Sequence, residues 1–135
     1  MKFEELIEPK KFNIDNIEYY VGKIPAFYAQ RILLKSGDAL REFDMTKLPE
    51  EVITNILSYT AVVNGYGEPI TLENLETVNL LLGHNTKALI AIEMQAITEN
   101  FGFFLDGDLR EIFEPIMKRM MADPNSSSST HSAAS

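Results

Sequence analysis

The segment from Asn85 to Phe101 constrains the fold most. Leu89, Ile92 and Ala96 form one row at helical spacing, and Ile90, Met94, Ile97 and Phe101 form a second. Two adjacent apolar rows make a broad face, and a helix can hide such a face only if other elements surround it. Asn85 or Thr86 is placed to cap its start. The spacing therefore predicts a long central helix on which the rest of the chain packs. With 135 residues the chain has the length of one domain, and such a domain buries roughly two-thirds of the surface its unfolded chain exposes.

Punctuation divides what comes before. Phe12-Asn13-Ile14 and Ile17-Glu18-Tyr19-Tyr20-Val21 are β-prone runs on either side of Asp15-Asn16, two residues that tolerate positive φ, which predicts a hairpin. Pro25 suits a first helical turn; Ile24, Phe27, Tyr28, Ile32 and Lys35 keep helical spacing, and Ser36-Gly37 marks a stop. Pro49-Glu50-Glu51 opens another helix, with acid at the positive end of its dipole and a stripe of Val52, Ile53, Ile56, Leu57 and Thr60. Asn64-Gly65-Tyr66-Gly67 is a turn with short extended arms at Ala61-Val62-Val63 and Pro69-Ile70. Thr71 is placed to cap a helix carrying Leu72, Leu75, Val78 and Leu82, which Gly83 closes.

After the central helix, Asp106-Gly107-Asp108 reads as a turn. Asp108 with Glu111 caps a last helix bearing Leu109, Ile112, Phe113, Ile116, Met117 and Met120, interrupted by Pro115. From Asp123 to Ser135 there is no large apolar residue and no periodicity, so residues 123–135 are expected to form a flexible Ser-rich tail. The expectation is a mainly α domain over residues 1–122, of about five helices with an N-terminal β-hairpin.

Composition narrows the chemistry. The chain has no cysteine, which removes disulfides, thiolate catalysis and Cys-ligated metal sites together. A net charge of −8 disfavours binding to phosphate backbones, so no nucleic-acid partner is expected. The start, Met1-Lys2-Phe3-Glu4-Glu5-Leu6, is too acidic and broken for a signal peptide, and no apolar run reaches the ~20 residues of a membrane helix. These features give the expectation of a cytoplasmic protein with no membrane partner.

The sequence offers few sites for catalysis. His84 and His131 lack a second His or a carboxylate at metal-ligand spacing. A calcium loop counted from Asp106 fails, because its fifth position is Arg110 and its twelfth is Met117. Asn64-Gly65-Tyr66-Gly67 lacks the Lys and hydroxyl residue of a phosphate loop. Glu4-Glu5 and Glu50-Glu51 are adjacent rather than stacked on one helix face. The expectation is a binding protein without cofactor or metal rather than an enzyme. Its candidate partner-binding residues are the aromatic cluster Phe101, Phe103 and Phe104 and the Met-rich end Met117, Met120 and Met121, since methionine adapts to varied apolar partners. Core filling is the competing reading for Met117 and Met120, which lie on the apolar stripe.

Three segments together resemble tail assembly chaperones of tailed bacteriophages. Lys23-Ile24-Pro25-Ala26-Phe27-Tyr28-Ala29 is similar to the family's "GK-hydrophobic-PAF-A" segment. Ile56-Leu57-Ser58-Tyr59-Thr60-Ala61-Val62, leading into Asn64-Gly65-Tyr66-Gly67-Glu68-Pro69-Ile70, is similar to its "SY-x-AV…G-x-G-x-P" helix and turn. Ile92-Glu93-Met94 through Asn100-Phe101-Gly102-Phe103-Phe104 and Asp106-Gly107 is similar to its "E…N-x-x-FF-x-x-G" stretch. The resemblance spans about Gly22 to Phe113.

It implies a mainly helical protein of the infected host cytoplasm that binds the tape measure protein, a long and partly apolar helical chain. The chaperone keeps that chain soluble until tail tube protein polymerises around it, and is absent from the finished virion. It also implies a longer form made by ribosomal frameshifting that recruits tube subunits, with the Ser-rich tail near the junction. It carries no catalytic residues. Self-association is compatible with several copies lining one extended client. The alternative reading is a structural tail adaptor or tube-associated protein present in the virion.

Overall fold

The computed structural model describes residues 1–42 and 44–105. Four strands and four α-helices follow one another as β1 (Ile7–Ile14), β2 (Ile17–Lys23), α1 (Ala26–Arg41), α2 (Glu50–Leu57), β3 (Thr60–Val63), β4 (Pro69–Thr71), α3 (Leu75–Leu82) and α4 (Thr86–Leu105). Short 3-10 turns at Phe3–Glu5 and Met45–Lys47 complete them. The strands form one antiparallel sheet in the order β1-β2-β3-β4. The fold is therefore α+β, and the expectation of a mainly α domain is corrected.

The expected hairpin is present, and longer than its β-prone core. Asp15 and Asn16 both take positive φ, 49° and 66°, the geometry that lets a two-residue loop match the twist of its strands. Ile14 faces Ile17 across the turn, and the Asn13 carboxamide accepts from the Asn16 N–H at 3.2 Å. The short arms expected at Ala61–Val63 and Pro69–Ile70 are β3 and β4. They do not stand alone: β3 pairs with β2, Tyr19 opposite Val62 and Val21 opposite Thr60. Local periodicity shows that a segment is extended but not which distant strand it joins.

The helices keep most of the sequence punctuation, with informative exceptions. Ser36-Gly37 does not stop α1. Ser36 leaves helical geometry (φ −137°, ψ 23°), and the helix resumes beyond this kink to Arg41. Thr60 is not on a helical stripe, since it starts β3 and its buried hydroxyl donates to the Leu57 carbonyl at 2.7 Å, satisfying one of the end carbonyls of α2. Thr71 does not cap α3. It belongs to β4 and its hydroxyl donates to the Met1 carbonyl, while Asn74 caps the helix by accepting from the Thr77 N–H at 2.9 Å. Asn85 caps α4 through the Ala88 N–H at 3.0 Å.

The core lies between one face of the sheet and α4, with α1, α2 and α3 packed around that helix. Ile92, Ala96, Ile97 and Phe101 expose none of their surface. The buried face of α4 is rotated from the two expected rows, because Ile90 and Met94 are 43% and 42% exposed while Glu93 and Phe104 turn inward. By length and composition α4 is the one described helix long and apolar enough to cross a membrane, with a mean hydropathy of 1.2. It packs against β2, α1, α2 and α3, with 33% of its apolar stretch buried.

The other face of the sheet is covered in part by the N-terminal turn. Phe3 meets Tyr20 edge-on with ring centroids 4.9 Å apart, and Leu6 is buried beside Gly22. The helix expected over Leu109–Met120, its break at Pro115, the Asp106–Asp108 turn and the Ser-rich tail lie outside the described residues, so four of the five expected helices fall within them.

Candidate binding surface

Gly22 closes the end of β2, where a side chain would not fit comfortably. A Cβ there would stand 3.2 Å from both the Leu6 Cβ and the Tyr59 carbonyl oxygen. Its N–H donates to that Tyr59 carbonyl at 2.8 Å, which fixes the start of β3 against β2. Beyond Gly22 the chain leaves the sheet toward Pro25, and two backbone groups need partners. Asn100 on α4 supplies both, accepting from the Ile24 N–H at 2.7 Å and donating to the Gly22 carbonyl at 3.2 Å. A second donation, to the Ala96 carbonyl at 3.0 Å, holds the carboxamide in place. Residues from all three resembling segments thus meet within one hydrogen-bonded cluster.

This cluster sets where α1 begins, and α1 in turn forms a cleft with α2. The cleft has a volume of about 250 Å³ and is lined by Tyr28, Arg31, Ile32, Lys35, Glu51, Val52, Asn55, Ser58 and Tyr59. Helical spacing orders these residues into rows. On α1, Tyr28 and Ile32 form the inner row, and Phe27, Arg31 and Lys35 the outer one. On α2, Glu51 and Asn55 form the opposite lip, with Val52 below and Tyr59 just past the helix end.

Phe27 and Tyr28 are 61% and 55% exposed, yet their rings meet edge-on at 6.0 Å, and the Arg31 guanidinium lies 5.8 Å from the Phe27 ring centre. Burial pushes the Tyr59 phenol above its ordinary value, and the neighbouring Tyr28 adds to the shift. The cleft thus joins an apolar, aromatic floor to charged lips, an arrangement that can hold a side chain.

The aromatic cluster read from the sequence divides. Phe101 and Phe104 are core residues, 0% and 2% exposed, and present no surface to a partner; Phe103, at 42%, faces outward. Met117, Met120 and Met121 lie outside the described residues. Helical spacing placed Phe27 and Tyr28 on a helix but did not mark them as exposed, and they were not among the candidate binding residues. Spacing alone gave no signal, since positions 27, 28 and 31 fall within about 100° of helix arc, the width of one ordinary apolar face.

Glu93 is buried against Met45, Ile53, Ile56 and Ile97, with its carboxyl raised above the ordinary value by that burial. Among the described residues no three His, Asp or Glu side chains gather to hold a metal ion, and His84 lies exposed between α3 and α4. No family model, curated protein or solved structure matches this chain.

Proposed function

We propose that this protein is a tail assembly chaperone of a tailed phage, which binds the tape measure protein in the host cytoplasm and keeps it soluble while tail tube protein assembles around it. One observation carries the reading. Two of the segments that resemble the family contribute the facing tyrosines Tyr28 and Tyr59 to one open cleft, beside the exposed Phe27. A holdase needs apolar surface for its client and net charge to remain dispersed, and this chain has both, at −8. The cleft, Phe27 and Phe103 replace the buried Phe101 and Phe104 as the described residues that contact the client.

Affinity capture of the protein from infected cells tests this. The expected result is co-purification of the tape measure protein, together with absence of the chaperone from purified virions. Stoichiometric presence in mature particles, without tape measure protein in the captured fraction, would replace this reading with that of a structural tail component.

A further inference from the structure

The cleft between α1 and α2 has a charge pattern that the fold itself does not use. Lys10, Lys11, Lys23, Arg41, Lys47 and Lys87 each form an ion pair within the chain. Among the described lysines and arginines only Lys2, Arg31 and Lys35 form none, and two of these three stand four residues apart along one lip of the cleft. In a chain of net charge −8, two cations left without anionic partners beside an exposed aromatic pair are out of keeping with the rest of the surface.

The opposite lip carries Glu51 and the neutral Asn55. At about 250 Å³ the cleft is smaller than the roughly 300–1,000 Å³ of small-molecule sites. It suits one large side chain delivered by a protein segment.

We propose that this cleft is a docking groove for an amphipathic helix. The helix buries a large apolar side chain between Tyr28, Ile32, Val52 and Tyr59, and lays carboxylates spaced four residues apart against Arg31 and Lys35. The spacing follows from the receptor, because cations at i and i+4 on α1 match anions at i and i+4 on a helix lying alongside. The far flank of the occupant, facing Glu51 and Asn55, is basic or amide-bearing. The inference rests on the reading of the chain as a binder of a helical client, and adds the part of such a client that it grips. Arg31 and Lys35 supply selectivity and steering more than raw affinity, since exposed pairs contribute little by themselves.

Three synthetic helices of equal length test the groove by fluorescence anisotropy against the full chain. One carries a leucine stripe flanked by glutamates on one side and lysines on the other. The second has the same composition scrambled to remove the stripe. The third keeps the stripe with lysines on both flanks. The first peptide should bind best, and Arg31→Glu/Lys35→Glu should weaken it by at least about tenfold while strengthening the third. Both substituted residues are exposed, and circular dichroism checks that the fold is retained.

Tyr28→Ala should weaken both striped peptides. Equal binding of all three peptides, or a preference unmoved by the charge reversal, would overturn the proposal, as would concentration-dependent dimerisation through Phe27 and Tyr28 that excludes the peptides. Capture of tape measure protein with no peptide preference would sink the groove and leave the chaperone reading intact. A peptide preference without tape measure capture would do the reverse.

Discussion

The Asn100 carboxamide of α4 accepts a hydrogen bond from the Ile24 backbone N–H at 2.7 Å. Through this bond the central helix determines where the chain leaves the sheet and enters α1. Because the same side chain also donates to the Gly22 carbonyl, one residue satisfies the donor and the acceptor that become free as β2 ends.

Asn100→Ala should therefore cost more than one ordinary hydrogen bond. It leaves a donor and an acceptor without their partner at a part-buried position, at about 2 kcal/mol in total. Asn100→Asp keeps an acceptor for Ile24 but loses the donations to the Gly22 and Ala96 carbonyls and sets a carboxylate oxygen against both, so it should destabilise at least as much as Asn100→Ala. Urea unfolding of the three proteins measures the order.

Phe101 and Phe27 make an opposed pair. Phe101 has no exposed surface, so Phe101→Ala should destabilise by about 3–5 kcal/mol. Phe27 is 61% exposed and contacts Tyr28 and Arg31, so Phe27→Ala should cost no more than about 1 kcal/mol while weakening client binding. Thermal melts and binding assays on the same two variants separate a core role from a surface role.

Glu93 makes stability depend on pH with a definite sign. Its carboxyl is raised above the ordinary value by burial, so the folded state holds the proton to higher pH than the unfolded chain does. The Glu93 contribution to stability should be greatest below the unfolded value, about 4.3 for a glutamate, and be lost as pH rises through the raised folded value. Glu93→Gln removes the charge that must be buried, and should raise stability at neutral pH and flatten this slope. The difference between the wild-type and Glu93→Gln urea midpoints across that pH range decides the matter, and a variant advantage that does not grow with pH would contradict the assignment.

Asn74 rather than Thr71 caps α3, so Asn74→Ala should cost about 1 kcal/mol through the lost acceptor for the Thr77 N–H. Thr71→Ala should leave α3 intact and instead loosen the N-terminal residues that its hydroxyl holds at the Met1 carbonyl. Hydrogen exchange at the Thr77 amide distinguishes the two effects.

The sequence shows what depends on neighbours in the chain and hides what depends on distant ones. Asp15-Asn16, Pro49 and Gly83 announced their turn, helix start and helix end, because each acts through its own backbone geometry. The pairing of β2 with β3 was not visible, since two helices intervene and nothing in Tyr19 or Val62 names the other. Thr60 and Thr71 were misread because a threonine fits a cap, a helix side or a strand start, and only tertiary packing chooses among them.

The candidate site was legible in kind but not in place. Apolar residues beyond the helix stripes were visible. Yet periodicity alone could not show that the kink at Phe101 (φ −126°) accompanies burial of Phe104, or that Phe27 and Tyr28 stay at the surface.

The proposed role is to hold a long, partly apolar helical protein in solution. Its most direct test is the soluble fraction of the phage's tape measure protein when expressed alone, with the wild-type chain, and with the Tyr28→Ala variant. The tape measure protein should aggregate alone, form a soluble complex with the wild type, and lose part of that solubility with the variant. Equal solubility of the tape measure protein in all three cases would contradict that role.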